Sequence, residues 1–276
     1  MKIKYLGTAA AEGVPAFFCH CEVCTQARKQ KGREYRTRPQ ALVDDKLLID
    51  FGPDTYAHLL QYDLDITELE YCLITHTHED HLTKEQFVYR VPGFAQLKEG
   101  TRPLNVYGSE DLSEVISEDQ RKGLADANAV FFHELKPYQP VMIAEYKVTA
   151  FPAIHGTAHP YFYSIEKDGT ALLYAHDTDF FADEVWDYFA KNQMHFDLVS
   201  MDCTEGKRQM SYVGHMNFEK NLQVKERMLQ LGMADEKTLF VSNHFSHNGG
   251  VTYQAACELV EPQGLIVSYD GLELNV

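Results

Sequence analysis

Short apolar runs recur along the chain, and glycine, proline or acidic residues bound most of them. Runs of this length predict buried strands, and alternation within a run predicts a strand with one covered face. Acidic pairs and Asp-Gly steps between two runs predict hairpin turns. The predicted strands and hairpins cover Lys2–Leu6, Ala41–Asp50 with a turn at Asp44–Asp45, Cys72–Thr75, Leu104–Gly108, Val141–Ile154, Tyr161–Tyr174 with a turn at Asp168–Gly169, Leu198–Met201, Thr238–Ser242 and parts of Leu265–Val276.

Polar stretches with helical spacing lie between these strands. The predicted helices are Thr25–Arg38, Tyr56–Tyr62, Lys84–Arg90, Asp111–Ala127, Asp183–Lys191, Phe218–Leu231 and Tyr253–Val260. Hairpins and helices alternate through both halves, without a linker or repeat. This order predicts an α/β (α+β) protein with two sheets and external helices, in a single domain that spans residues 1–276.

The sequence from 71 to 82 combines a buried strand with a dense group of polar side chains. The apolar run Cys72–Thr75 leads directly into His76, His78, Asp80 and His81. His76 and His78 point the same way in an extended segment, because side chains alternate along it. Imidazole and carboxylate groups bind zinc, manganese and iron, so we expect a metal site where this strand ends.

Other candidate ligands also follow predicted strands. They are Asp50, His155, Asp177 and His244. Side chains at several strand ends can converge on one rim of a sheet scaffold. Two of these positions have competitors: Asp179 is an alternative to Asp177, and His247 and His215 are alternatives to His244.

Composition narrows the classes of partner. The 276 residues carry a formal net charge of −16, which argues against nucleic acid as the main partner. The N-terminus lacks the apolar core of a signal peptide, and no apolar run reaches the length of a membrane span. We therefore expect a cytoplasmic protein without a membrane partner. In that compartment its six cysteines are more consistent with metal ligands or thiols than with disulfides.

The order His76-x-His78-x-Asp80-His81 followed by further ligands resembles the metallo-β-lactamase superfamily over nearly the whole chain. The resemblance implies a four-layer αββα sandwich with two metals at one edge. It implies that His76, His78 and His155 hold the first metal and that Asp80, His81 and His244 hold the second. It further implies that Asp177 bridges both metals and that Asp50 supports the site.

Three thiols lie close together at Cys19, Cys21 and Cys24. With the preceding Val14-Pro-Ala-Phe-Phe, they resemble the N-terminal insert of the PhnP-like branch, which comprises cyclic phosphodiesterases. That resemblance implies a structural zinc whose fourth ligand is His247, three residues after His244. Free thiols or a disulfide, and His20 as fourth ligand, are the alternatives. Coenzyme PQQ synthesis protein B has a cysteine-rich zinc site on the same fold, so the cluster alone does not decide the function.

The resemblance implies a binuclear hydrolase with manganese or zinc, in which a water activated between the metals attacks a small phosphodiester of the cyclic ribose type. Asp80 would orient the nucleophile and His215 would protonate the leaving alkoxide. His215 can equally serve only as a helix-entry residue before the Phe218 helix. The alternative functions are a thioester or lactam hydrolase, a transfer-RNA processing nuclease, and a PQQ-pathway metal-binding carrier. A homodimer is also expected from the superfamily.

Overall fold

The computed structural model describes residues 1–209 and 213–276. Its strands are β1 (Lys2–Gly7), β2 (Gln40–Val43), β3 (Leu47–Ile49), β4 (Tyr71–Leu73), β5 (Leu104–Gly108), β6 (Val130–Glu134), β7 (Val141–Ile143), β8 (Tyr146–Pro152), β9 (Tyr161–Lys167), β10 (Thr170–Ala175), β11 (Leu198–Asp202), β12 (Leu239–Asn243), β13 (Ile266–Val267) and β14 (Glu273–Asn275). The helices are α1 (Glu22–Gln30), α2 (Thr55–Tyr62), α3 (Asp111–Val115), α4 (Glu118–Asp126), α5 (Asp183–Lys191), α6 (Phe218–Gln230) and α7 (Tyr253–Val260), with 3₁₀ turns at Gly32–Glu34, Lys84–Arg90, His247–Gly249 and Glu261–Gln263.

These strands form two mixed sheets of seven strands each. The first sheet has the order β14-β1-β2-β3-β4-β5-β6, and the second has the order β13-β12-β11-β10-β9-β8-β7. In the first sheet β3 to β6 run parallel, and in the second β10 to β13 run parallel. The carboxyl ends of neighbouring parallel strands lie at one edge of a sheet, which is where the polar loops emerge.

Alternating side chains of each strand pack into different layers. Ile49 joins the core between the two sheets, whereas Leu48 faces the helices outside the first sheet. In the second sheet Leu198 faces the central core and Val199 faces α5 and α6 with Trp186. Three apolar layers therefore separate four layers of secondary structure, which confirms the predicted αββα sandwich.

Both predicted hairpins are present. Asp44 and Asp45 have φ of 49° and 57°, and Asp168 and Gly169 have φ of 51° and 80°. Two consecutive residues with positive φ match a two-residue turn whose twist suits the flanking strands.

Two predicted helices were wrong in extent. Helix α1 begins at Glu22, because the Cys21 side chain caps it, and ends before Lys31, which has φ of 59°. The predicted helix Asp111–Ala127 is instead α3 and α4, separated at Ser117, whose hydroxyl accepts a hydrogen bond from the Gln120 amide. A serine hydroxyl that caps a new helix favours a break over continuation. Strand β6 was missed by the sequence analysis.

Candidate metal centre

The polar side chains that follow five strands meet at one edge of the sandwich. Loops after β3, β4, β8, β10 and β12 carry them. Within the described residues, four overlapping groups of potential ligand atoms lie at this edge, each with all atoms within 4.8 Å of one another. The predicted convergence of strand-end residues is therefore present in the structure.

Three histidines form the first group. His78 Nδ1 lies 2.9 Å from His76 Nε2 and 3.1 Å from His155 Nε2. His76 is buried, and its pKa is well below the usual value because of burial and the neighbouring His81. Three imidazole nitrogens that face a common point from two loops are a donor set typical of zinc or manganese.

Asp177 lies between that group and a second one. Its Oδ2 is 2.7 Å from His81 Nε2 and 3.0 Å from His244 Nε2, and its Oδ1 is 3.6 Å from His155 Nε2. Asp80 Oδ2 adds to the second group, 3.3 Å from His81 Nε2. One carboxylate thus has an oxygen facing each group.

The donor atoms of this second group fit a cation. His81 Nε2, His244 Nε2 and Asp177 Oδ2 are buried, and none of them makes a hydrogen bond to any described residue despite the short distances between them. Buried polar atoms normally have partners, so atoms that crowd together without hydrogen-bond geometry indicate ligands of an ion. Burial lowers the pKa of His244, but the charge of Asp177 outweighs it and raises the pKa to about 10. A divalent cation would supply the positive charge that these carboxylates need.

Three residues of the edge have an unusual backbone. Asp50, Asp177 and His244 have φ of 67°, 49° and 60°. Left-handed conformations of non-glycine residues cost free energy and concentrate at functional sites. Each of the three directly or closely follows a strand. The left-handed backbone turns the chain at this point, so that the side chain lies over the edge of the sheet.

Asp50 hydrogen bonds to the His81 ring nitrogen that does not face the other ligands. The His81 Nδ1 donates to Asp50 Oδ2 at 2.7 Å, and the amide of Thr75 donates to Asp50 Oδ1 at 2.8 Å. A histidine whose Nδ1 hydrogen bonds to a carboxylate presents its Nε2 in a fixed direction. The supporting role of Asp50 stays a prediction, for which this contact is the required geometry.

Asp202 is a site residue that the sequence analysis missed. At the end of β11 its Oδ2 accepts from His215 Nδ1 at 2.9 Å and lies 3.3 Å from His244 Nδ1, while its Oδ1 accepts from the Thr204 and Met216 amides. Burial alone would lower the pKa of His215, but the nearby Asp202 carboxylate raises it by more, so the pKa of His215 lies above its usual value. The signal that could have identified Asp202 is its position directly after the predicted strand Leu198–Met201.

Of the three competitors, Asp179 and His247 lie outside the four ligand groups at this edge, whereas His215 is in one group with Asp177, Asp202 and His244. Asp179 pairs with Lys220 at 2.6 Å rather than with the histidines. His247 belongs to a different cluster, described below. His159 pairs with Asp111 at 2.6 Å, and His176 is buried beside Ser200 at 2.8 Å.

Cys19, Cys21, Cys24 and His247 form a separate cluster with all ligand atoms within 4.8 Å. His247 Nδ1 lies 3.4 Å from Cys19 Sγ and 3.5 Å from Cys21 Sγ. All six cysteines are free thiols in the structure, and His20 is exposed outside the cluster. Three thiols and one imidazole match the donor set of a structural zinc.

A cavity of about 760 Å³ adjoins the second group of ligands at Asp80. Its wall includes the cationic side chains of Arg38 and Lys84, the exposed carboxylates of Glu79 and Glu85, and the aliphatic Leu82. This size suits a small organic molecule.

Fold and site together define a metallo-β-lactamase sandwich with clustered metal-ligand side chains at its edge. The Beta-lactamase superfamily domain matches residues 45–236, and the chain belongs to that superfamily. In the described residues no helix is both long and apolar enough to cross a membrane.

The chain is similar to curated proteins of differing activity. It is 28% identical over 167 residues to an octanoyltransferase of Porphyromonas gingivalis, covering 56% of this chain and 31% of that protein. It is 29% identical over 157 residues to a ribonuclease Z of a Picosynechococcus species, covering 56% of this chain and 44% of that protein. The chain thus spans less than half the length of these relatives.

Solved structures share the fold over almost the full chain. A diphosphatase from the PhnP family superimposes with a TM-score of 0.76 at 21% identity, covering 99% of this chain and 97% of that one. The zinc-bound PqqB of Methylobacterium extorquens superimposes with a TM-score of 0.69 at 18% identity, covering 100% of both chains. Identities at this level show the common fold.

Proposed function

We propose that the protein is a binuclear metal-dependent phosphodiesterase that acts on small phosphodiesters of the cyclic ribose type. The observation that carries this proposal is the position of Asp177. Its two carboxylate oxygens face different imidazole groups, as expected of a residue that bridges two cations.

The grouping of the potential donor atoms supports the proposed ligand assignment. The first metal would be held by His76, His78 and His155, and the second by Asp80, His81 and His244, with Asp177 shared. Manganese and zinc both suit these imidazole and carboxylate donors. When bound, such a pair of cations lowers the pKa of water and neutralises charge on the attacked phosphate.

The protein's own side chains would orient the attacking water and move protons. The second carboxylate oxygen of Asp80 can accept a hydrogen bond from that water and align it. His215 would donate a proton to the departing alkoxide. Asp202 accepts the Nδ1 proton of His215 and raises the pKa of the imidazole, which favours the protonated ring whose Nε2 proton can be donated.

The cavity beside Asp80 is the proposed substrate site. A scissile phosphate at the metals would leave the rest of the molecule against Arg38 and Lys84. Arg38 is held in place by Asp54 at 2.8 Å and by the carbonyl of Ala11. The volume suits a small molecule, and the net charge of −16 disfavours a long nucleic acid, in contrast to the relatives named ribonuclease Z.

We further propose that Cys19, Cys21, Cys24 and His247 bind one structural zinc. His247 lies three residues after His244, so this zinc would tie the N-terminal segment to the loop that carries a proposed active-site ligand. A closed four-ligand site of this kind stabilises folded structure rather than taking part in turnover.

The test is a panel of hydrolysable substrates: bis-p-nitrophenyl phosphate, a ribose cyclic phosphate, a thioester, a lactam and a transfer-RNA precursor. Each is incubated with manganese, with zinc and with chelator. Chelator-sensitive turnover of the small phosphodiesters, lost in Asp80→Ala, would support the proposal. Preferential cleavage of the thioester, the lactam or the RNA would replace it by the corresponding hydrolase, and no turnover despite bound metal would favour a carrier.

A further inference from the structure

One turn of the chain contacts two of the residues assigned to the second metal. It consists of Asp50, Phe51 and Gly52, directly after β3. Asp50 binds His81 Nδ1, and the Phe51 amide donates to the carbonyl of His81 at 2.8 Å. Gly52 packs so closely on the neighbouring backbone that a Cβ at this position would lie 2.1 Å from the carbonyl oxygen of Asp80. The position of this turn therefore determines where Asp80 and His81 lie.

Gln40 holds this turn from inside the sandwich. Its amide nitrogen donates to the carbonyl of Asp50 at 2.9 Å and to the hydroxyl of Thr55 at 2.8 Å. Thr55 in turn donates to the carbonyl of Gly52 at 2.8 Å. A single side chain, which is 2% exposed, thus contacts both ends of the turn, directly at Asp50 and through Thr55 at Gly52.

His58 fixes the orientation of Gln40. Because the Gln40 nitrogen faces two acceptors, its Oε1 faces His58, and His58 Nδ1 donates to it at 2.6 Å. His58 Nε2 then has no proton and accepts from the hydroxyl of Thr37 at 2.7 Å, and the amide of Thr37 donates to Asp270 at 2.6 Å. The ring is 1% exposed, and burial lowers its pKa to about 4, so it is neutral near pH 7.

The turn needs such support because Asp50 has φ of 67°. An aspartate in this conformation is strained unless surrounding contacts determine it, and its buried carbonyl needs a donor. Hydrogen bonds behind a ligand residue commonly change metal affinity about 10–100-fold. In the described contacts Gln40 and His58 do not touch the first group of His76, His78 and His155. An indirect link runs through Thr75, whose hydroxyl contacts Asp50 at 2.9 Å and His76 Nδ1 at 3.1 Å.

We infer that Gln40 and His58 are positioning residues of the second metal: through a buried chain of hydrogen bonds they fix the Asp50–Gly52 turn, and with it Asp80 and His81. The inference rests on the proposed function in that it uses the assignment of these two residues as ligands. It adds a selective role for two residues on β2 and α2, remote from the first metal.

The experiment is a titration of chelator-treated protein with Mn²⁺, followed by electron paramagnetic resonance and calorimetry. Manganese prefers nitrogen and oxygen donors, so the cysteine cluster contributes little. The variants are Gln40→Met, which keeps the volume without hydrogen bonds, His58→Leu, and His58→Asn, whose amide can replace the Nδ1 donor. Ser164→Ala is the control, because Ser164 is fully buried and its hydroxyl makes no hydrogen bond to a described residue. Thermal unfolding of the metal-free proteins is recorded alongside.

We expect wild-type protein and Ser164→Ala to bind two Mn²⁺. Gln40→Met and His58→Leu should weaken one of the two steps at least about tenfold and the other step, which the turn reaches only through Thr75, much less. His58→Asn should recover most of the loss. Equal weakening of both steps, or equal behaviour of His58→Leu and His58→Asn, would overturn the positioning role. Two unaltered steps in both Gln40→Met and His58→Leu would also overturn it, whereas fewer than two Mn²⁺ on wild-type protein would overturn the two-metal proposal itself. If Gln40→Met does not fold, the two His58 variants decide the question.

Discussion

Gly52 lies directly against the main chain of Asp80, with no room for a side chain between them. A methyl group at residue 52 would be 2.1 Å from the Asp80 carbonyl oxygen, far inside van der Waals contact. The overlap is with backbone atoms, so rotation of a side chain cannot relieve it. The glycine is therefore required by this close approach.

Gly52→Ala should therefore displace the loop that carries Asp80. We expect a loss of about 3 kcal/mol in the free energy of unfolding, measured by denaturant titration, together with weaker binding of the second metal. Gly123→Ala is the matched control, because nothing lies within 4 Å of its added methyl group and the site is within α4. That variant should be neutral or slightly more stable. Equal stability of the two variants would contradict the close approach.

His215 and Asp202 can be tested through the leaving group. If His215 protonates the departing oxygen, His215→Gln should reduce kcat about 100-fold or more on a ribose cyclic phosphate, whose alkoxide is a poor leaving group. The loss on bis-p-nitrophenyl phosphate should be much smaller, because nitrophenolate leaves without protonation. Asp202→Asn should show the same pattern, weaker in degree, in steady-state kinetics with both substrates.

A histidine that only begins helix α6 would give a different result. In that case both substrates would lose activity by the same factor, in parallel with lowered stability. His159→Gln serves as the control, because His159 pairs with Asp111 away from the proposed metal ligands.

The proposed zinc site of the cysteine cluster predicts one measurable zinc ion per chain. Cys21→Ser should remove one zinc per chain in elemental analysis and lower the unfolding temperature, while the protein that remains folded keeps its turnover rate. Cys257→Ser is the control, since Cys257 lies in α7 outside the cluster. An unchanged zinc content in Cys21→Ser would exclude this cluster as a zinc site.

The buried His58 predicts a loss of stability in acid for metal-free protein. Burial lowers its pKa to about 4, against the attraction of the nearby Asp54. Between pH 6.5 and pH 4 the unfolded chain binds a proton that the folded protein does not, so stability falls as the pH falls through this window. The shift corresponds to roughly 3 kcal/mol. Relative to His58→Asn, the wild type should therefore lose about this amount in denaturant titrations between pH 6.5 and pH 4.

Asp270 lies at the other end of the same chain of hydrogen bonds. Its raised pKa predicts a pH dependence of stability opposite to that of His58. Burial raises its pKa to about 6, although hydrogen bonds from Thr37 and Thr8 oppose the shift. Between pH 4 and pH 6 the folded protein binds the additional proton, so stability falls as the pH rises. Relative to Asp270→Asn, the wild type should lose stability on going from pH 4 to pH 6. Parallel pH profiles for the wild type and the variant would contradict the raised pKa.

Much of the architecture was predictable from local pattern. The hairpins at Asp44–Asp45 and Asp168–Gly169 have turn residues that can be recognised locally in the sequence. The apolar runs correctly predict most of the strands. The division of Asp111–Ala127 into two helices was not predicted, because polar helical spacing continues through Ser117 and only the capping contact shows the break. Strand β6 was missed although Ala129–Phe132 is an apolar run of the kind that predicts a strand, and its pairing with β5 is seen only in the folded structure.

The convergence of the proposed metal ligands was predictable because they follow predicted strands, and parallel strands have their carboxyl ends at one edge of a sheet. Asp202 directly follows the predicted strand Leu198–Met201 and so had the same signal, but its contacts with His215 and His244 are seen only in the folded structure. Gln40 and His58 carry no motif at all. Their relation to the site depends on hydrogen bonds between β2, α2 and the Asp50 turn, which only the folded structure shows.

The most direct test of the central claim is to count the active-site metals in the wild type and in Asp177→Asn while turnover of a ribose cyclic phosphate is followed. With the structural zinc counted separately through Cys21→Ser, the account predicts two further metals per wild-type chain. It predicts that Asp177→Asn loses at least one of them, together with nearly all turnover. A wild-type chain that is fully active with a single active-site metal, or an Asp177→Asn variant with full metal content and wild-type turnover, would contradict it.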